Sequence, residues 1–307
     1  MRVQFVGIEL QSPVLAASGT FAYGVEFEDI VSLEKIGGFA TKGLSREPMA
    51  GNAAPRIIET AAGMMNSIGL QNIGVEAFLQ RKLPHLRKYP KCAVIVNVFG
   101  YRVKDYVEVI QRLNEAEGIA AYELNASCPN TDHGGMTFGI DPIALDELVA
   151  RSKQVATRPL IVKLSPNVTS IPAMAKCAEF AGADALSLVN TFVALAIDIE
   201  SRRPRIANVT AGLSGPAIKP IAVRMAWEAA NAVRIPIMGL GGITTPEDAV
   251  EFLLAGAVAV QVGTASYADP RAVERIARGL EAWCQHHHID KVADLVGKLD
   301  ISQPESE

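Results

Sequence analysis

The chain has little cysteine: four residues among 307, at Cys92, Cys128, Cys177 and Cys284, scattered and with no C-x-x-C pair. That spacing argues against a zinc site, an iron-sulfur cluster or a disulfide framework in this chain and leaves reduced thiols. It also lacks any lysine and arginine run or interleaved aromatic stripe. With a net charge of -4 and a pI near 5.8 it offers no basic field to a polyanion, so nucleic acid is not an expected partner. Long apolar runs are missing as well. "MRVQFVGIELQSPVLAASG" is broken by polar residues every few positions, which lacks the h-region of a signal peptide and the ~20 apolar residues of a membrane span. The expectation is a soluble, cytoplasmic protein without a membrane partner. The one metal-like feature, "HHH" at 286–288, follows an amphipathic helix and has no carboxylate or thiol set at ligand spacing beyond Cys284, so it reads as a solvated helix end and no metal is expected.

What is present is apolar material for a large core, 49% of the residues. Short apolar runs recur at 14–18, 38–43, 93–100, 121–127, 159–167, 185–191, 236–242 and 257–265, most of them separated by helical patterns such as "DYVEVIQRLNEAEG" and "PEDAVEFLLAGA". Eight strands alternating with helices give the βα rhythm of a parallel sheet. Eight units fit a closed (β/α)₈ barrel better than an open doubly wound sheet. Thr245-Pro246-Glu247-Asp248 marks a helix start, and Asp269-Pro270 repeats the device. "VQFVGIELQS" alternates like a hairpin under the barrel floor, and the tail "DISQPESE" is polar. Residues 45–75 after the second strand and 192–214 after the sixth exceed a simple βα loop, and "PRIIET" and "ALAIDIE" within them suggest short strands of their own. No linker interrupts the chain, so residues 1–307 read as one domain.

Polar residues stand at strand ends where core packing does not require them: Lys42, Asn97, Asn125, Lys163, Asn190 and Thr191. In a barrel these converge on one mouth. The last two strands end in Gly241-Gly242 and Gly263-Thr264, and a capped helix follows the first pair. Glycines admit an anion to the backbone and a helix N-terminus favours it, which suggests a phosphate, although a glycine can also simply end a strand. "GLGGIT" is not G-x-G-x-x-G, so a mononucleotide such as FMN fits better than a dinucleotide. Lys163 either neutralises charge beside a reduced flavin or pairs internally with Glu123. Cys128, in "ELNASCPN", is either a small buried hydrophobe or a catalytic thiol. It shares a site with Asn125 only if the strand ends near Ala126, as Pro129 permits. "TDHGGMTFG" (131–139) is an ordinary loop or a mobile lid.

These motifs resemble class 1 dihydroorotate dehydrogenases. The matching segments run along nearly the whole chain: "ASGTFAYG" (17–24), "TKG" (41–43), "NSIGLQN" (66–72), "NASCPN" (125–130), "VKLSPN" (162–167), "VNT" (189–191), "LSGPAIKP" (213–220), "GLGGI" (239–243) and "VGTA" (262–265). The cysteine separates class 1 from class 2, whose members have serine there and an N-terminal membrane-binding extension. The resemblance implies an FMN-binding (β/α)₈ barrel that oxidises (S)-dihydroorotate to orotate in pyrimidine biosynthesis, with Cys128 as the base that removes the C5 proton. It implies substrate contacts at Lys42, Asn66, Ser67, Ile68, Gly69, Leu70, Asn125, Asn130, Asn190 and Thr191. Position 67 is serine where relatives often carry alanine. For FMN it implies Ser18, Lys42, Gly43, Asn97, Asn125, Lys163, Val189, Gly215, Gly241, Gly242, Gly263 and Thr264. "ASGTFAYG" and "LSGPAIKPIAVRM" look more like the B type, whose catalytic subunits form a homodimer that joins an FAD and [2Fe-2S] subunit as a heterotetramer and passes electrons to NAD⁺. The lack of cluster cysteines here is equally consistent with the A type, a fumarate-dependent homodimer. From the residues alone, a Schiff-base aldolase of the same barrel fold is the rival enzyme.

Overall fold

The computed structural model describes residues 1–127, 129–130 and 136–302. The chain opens with a hairpin of β1 (Val3–Phe5) and β2 (Ile8–Leu10). Its two-residue turn places Val6 at φ 45° and Gly7 at φ 81°, the double positive φ that matches the twist of paired strands. Phe5 and Leu10 are buried in the same apolar core as Val14 of the first barrel strand, so the hairpin that the alternation predicts packs onto the barrel's core.

Eight parallel strands close the barrel in the order β3 (Val14–Ala16), β4 (Gly38–Ala40), β7 (Ala93–Val98), β8 (Ala121–Asn125), β11 (Leu160–Lys163), β12 (Ala185–Leu188), β17 (Ile237–Leu240) and β18 (Ala259–Val262), with β18 pairing back to β3. Every residue of β7, β11, β12, β17 and β18 is buried. Strands covered on both faces read as continuous apolar runs, and that is why they were visible in the sequence.

The covering helices are α1 (Val75–Ala77), α2 (Leu83–Leu86), α3 (Val103–Asn114), α4 (Pro142–Val155), α5 (Ile171–Phe180), α6 (Lys219–Ala230), α7 (Pro246–Leu254), α8 (Ala265–Ala268) and α9 (Ala272–His286). A π-helical stretch, Phe78–Lys82, joins the first two. Tyr106, Val109, Ile110 and Leu113 form the buried stripe of α3 at the spacing of one helical face. The alternation is not strict, because only two 3₁₀ turns, Val25–Phe27 and Leu33–Lys35, follow β3. α7 starts at the predicted capping box: Thr245 Oγ1 accepts from Asp248 N at 3.3 Å, and Asp248 Oδ2 accepts from Thr245 N at 2.8 Å. The parallel prediction at Asp269-Pro270 shifts by two residues. There Asp269 Oδ1 accepts from Arg271 N at 2.9 Å, which closes a turn, and α9 begins at Ala272.

Both long connections carry strands. β5 (Ile57–Thr60) and β6 (Gly63–Asn66) lie in the first; β13 (Phe192–Leu195), β14 (Ile197–Asp198), β15 (Arg203–Pro204) and β16 (Thr210–Ser214) lie in the second. β13, β16, β6 and β5 combine, in that order, into one antiparallel sheet with its own small apolar cluster at Met65, Ile206 and Ala211, while β14 and β15 pair with each other. No local pattern announces that two segments about 150 residues apart share a sheet. In the loop after β8, β9 (Pro129–Asn130) pairs with β10 (Met136–Thr137). Of the 131–139 stretch that reads as a loop or a lid, residues 131–135 lie outside the described residues. Among those described, no helix is long and apolar enough to cross a membrane, and no three metal-binding side chains converge. The histidines at 286–288 are exposed at the end of α9.

Candidate active site

All eight barrel strands deliver a residue to one cavity of about 360 Å³ at their C-terminal ends: Ser18, Lys42, Asn97, Asn125, Lys163, Val189, Gly241 and Thr264. The volume lies within the roughly 300–1,000 Å³ of small-molecule sites, and the position is where barrels carry chemistry. Gly43, Asn66, Ser67, Ile68, Gly69, Leu70, Asn190, Thr191, Gly215 and Gly242 also line it, so the predicted substrate and cofactor sets share a single space. Gly263 does not line the cavity; an added Cβ there would lie 3.5 Å from the Ala17 Cβ. Cys128 lies outside the described residues, and of Asn130 only the backbone pairing with Met136 is described. β8 does end at Asn125 and turns at Ala126, the condition for Cys128 to share that side.

The described lining contains Lys42 and Lys163 and no Asp or Glu. A cavity with cations and no carboxylate favours an anionic ligand. Three glycines leave one end of it as bare backbone: Gly215, Gly241 and Gly242 have φ of 98°, 133° and 78°. A Cβ on Gly242 would stand 2.9 Å from the Gly215 carbonyl oxygen, and one on Gly215 would stand 2.6 Å from the Gly63 Cα. Here the anion prediction is refined. Asp248 N of α7 is taken by the helix's own capping box and no residue of α7 lines the cavity, so the glycines themselves, rather than that helix end, form the wall.

At the other side, amides orient one another. Asn190 Nδ2 donates to Asn125 Oδ1 at 3.1 Å and to Ser127 Oγ at 3.0 Å, while Asn190 Oδ1 accepts from Thr191 N at 2.8 Å. The 66–70 segment is fixed from below by Asn72, whose Oδ1 accepts from Gly74 N at 2.8 Å and whose Nδ2 donates to Leu70 O at 3.0 Å and Ser45 Oγ at 2.8 Å. Asn52 braces it from the side, donating to Ser67 O at 3.0 Å and Ser67 Oγ at 2.9 Å. Lys163 lines the cavity, and its Nζ stands 3.9 Å from Glu123 Oε1, so the internal pair leaves it facing the ligand space. Pattern reading missed Asn52, Phe99, Ser214, Leu240 and Tyr267 in the lining, because most lie in loops or on apolar positions without a chemical signal.

The described cysteines are unsuited to proton abstraction. Cys92 and Cys284 are buried and Cys177 half-buried, all are free, and burial pushes the Cys92 thiol up to about 12 and raises the other two as well.

A family model described as dihydroorotate dehydrogenase matches residues 1–283. The chain is 62% identical over 293 residues to a Solibacter usitatus protein provisionally named dihydroorotate dehydrogenase A (fumarate), covering 95% of this chain and 96% of that one. It is 54% identical over 300 residues to the dihydroorotate dehydrogenase B (NAD(+)), catalytic subunit, of Pelobacter propionicus, with 98% of both chains covered. The protein of that name from Citrifermentans bemidjiense is 54% identical over 301 residues, again with 98% of both chains covered.

Proposed function

The chain belongs to the dihydroorotate dehydrogenase family, and we propose that it is the catalytic subunit of a B-type enzyme that oxidises (S)-dihydroorotate to orotate. The observation that carries this reading is a cavity whose described lining holds two lysines and no carboxylate, with facing amides at one side and bare glycine backbone at the other. Such a space suits two anionic planar ligands stacked in one mouth. The residues present fit FMN: Gly215, Gly241 and Gly242 form a cradle that a Cβ would fill, Thr264 closes it, and Ser18, Lys42, Gly43, Asn97, Asn125, Lys163 and Val189 supply polar and backbone groups along the remaining wall. When bound, FMN would supply hydride acceptance from C6 of the substrate.

The chain's own residues would do the rest. The Cys128 thiolate would take the C5 proton, a task that a thiol with a modestly lowered pKa can perform near neutrality. Asn125, Asn130, Asn190 and Thr191 would hold the pyrimidine ring, because amides offer both donor and acceptor to alternating N–H and C=O groups. Lys42 and the 66–70 segment would hold its carboxylate. The Asn190–Asn125–Ser127 bonds set the amides before substrate arrives, which reduces the ordering cost of binding.

The B-type assignment is supported by the names of the Pelobacter and Citrifermentans relatives over 98% of their lengths. It places FAD and [2Fe-2S] in a partner subunit and a homodimer of this chain within a heterotetramer, in the cytoplasm. The Solibacter name keeps a fumarate-linked homodimer as the alternative. The protein should purify yellow and bleach anaerobically with dihydroorotate. Colourless protein, trapped by borohydride with a keto sugar phosphate, would refute the reading in favour of an aldolase. Efficient fumarate turnover by this chain alone would overturn the B-type part only.

A further inference from the structure

Beneath the cavity, inside the barrel, lies a carboxylate with no exposed surface, Glu123 of β8. Four other strands serve it: Asn97 Nδ2 donates at 2.7 Å, Ser187 Oγ at 2.9 Å and Gln261 Nε2 at 2.9 Å, and Lys163 Nζ stands at 3.9 Å. A barrel interior is ordinarily filled by branched apolar side chains, and a buried charge is costly unless donors surround it. Gln261 shows how strongly the cluster is organised around the carboxylate. Its Nε2 is turned to Glu123, and its own Oε1 has no partner among the described residues.

We propose that Glu123 is a positioning residue that fixes the polarity of Asn97 toward the ligand and anchors the Lys163 ammonium beside it, an inference that rests on the flavin reading of the cavity. The argument is one of donors and acceptors. A carboxylate only accepts, so Asn97 meets it through Nδ2 and must turn Oδ1 the other way. That oxygen faces Gly43, where an added Cβ would lie 2.8 Å from it, and both residues line the cavity. Asn97 therefore offers the ligand an acceptor, complementary to a ring N–H, while Lys163 offers a cation to an electron-rich carbonyl edge. Glu123 touches no ligand; it decides what these two present.

The test uses the flavin-loaded protein and two readouts, the flavin dissociation constant and its two-electron midpoint potential. Asn97→Asp sets two carboxylates against each other and is expected to weaken flavin binding at least ~10-fold. The double variant Asn97→Asp with Glu123→Gln restores the pairing, since the new glutamine donates to the new carboxylate, and it keeps one negative charge beside Lys163. Its affinity is expected to return to within about threefold of wild type. Glu123→Gln alone leaves Lys163 uncompensated and favours the reduced, more negative cofactor about tenfold, a rise of about 30 mV. A double variant no better than Asn97→Asp overturns the proposal, even if Glu123→Gln alone does not fold. An unchanged potential in folded Glu123→Gln overturns it too. Wild-type protein that takes up no flavin would instead refute the function on which it rests.

Discussion

Gly242→Ala separates backbone strain from steric intrusion at the cavity, because the hairpin supplies a matched control. Gly242 has φ 78° and Gly7 has φ 81°, so alanine at either costs roughly the same 1–2 kcal/mol of left-handed strain. Their surroundings differ. A Cβ at Gly7 meets no heavy atom within 4 Å, whereas one at Gly242 meets Lys219 Cβ at 2.8 Å, Gly215 O at 2.9 Å and Lys219 N at 3.0 Å. Two of those three are backbone atoms that cannot swing aside, so the Gly242 variant carries a further ~1–3 kcal/mol of overpacking. For a chain this long each kcal/mol lowers Tm by roughly 2 °C. Gly7→Ala should therefore melt about 2–4 °C below wild type and bind FMN normally. Gly242→Ala should melt about 4–10 °C below, and, because Gly215 must shift, it should bind FMN at least ~10-fold more weakly. The assays are thermal unfolding and fluorescence titration of the apoprotein. Equal melting temperatures with unaltered FMN affinity in both would refute the argument that this wall is a backbone cradle.

Cys128→Ala should retain flavin but lose anaerobic flavin reduction by dihydroorotate at least ~100-fold; reduction near the wild-type rate would return the thiol to a packing role. Asn72→Leu removes bonds to Gly74 N, Leu70 O and Ser45 Oγ, leaving a buried N–H unmet, and should cost about 2–4 kcal/mol in chemical denaturation with a raised KM for dihydroorotate. Asp248 gives a pH signature. Burial raises its pKa, but the Lys219 ammonium and the Thr244 and Thr245 donors outweigh that and hold it below the usual carboxylate range. Folding thus favours its ionised form, and the stability it adds is present above about pH 4 and lost as pH falls below that. Asp248→Asn should melt lower than wild type at pH 7, with the gap closing toward pH 3; a gap that does not change with pH would contradict this account.

The barrel was legible because parallel strands buried on both faces must be apolar throughout, so runs such as "AVIVNV" and "LIVK" announce themselves. The mouth was legible for the complementary reason. Lysine, asparagine and threonine at the ends of such runs have no packing purpose there, and family motifs then attached roles to them. Asn52 and Tyr267 escaped because neither sits on a strand and neither side chain bonds a residue near in sequence. Asn52 acts through Ser67, and Tyr267 donates from α8 to Gly19 O at 3.2 Å.

Strand content, the polar strand ends, the glycine-marked turns and the placement of Pro129 after Cys128 are properties of local sequence, since periodicity and backbone restriction act over a few residues. The joining of the two long connections into one sheet and the gathering of Asn97, Lys163, Ser187 and Gln261 around Glu123 were decided only when the barrel closed. Those contacts link strands far apart in the chain, and a buried carboxylate finds its donors only once the strands that carry them stand side by side.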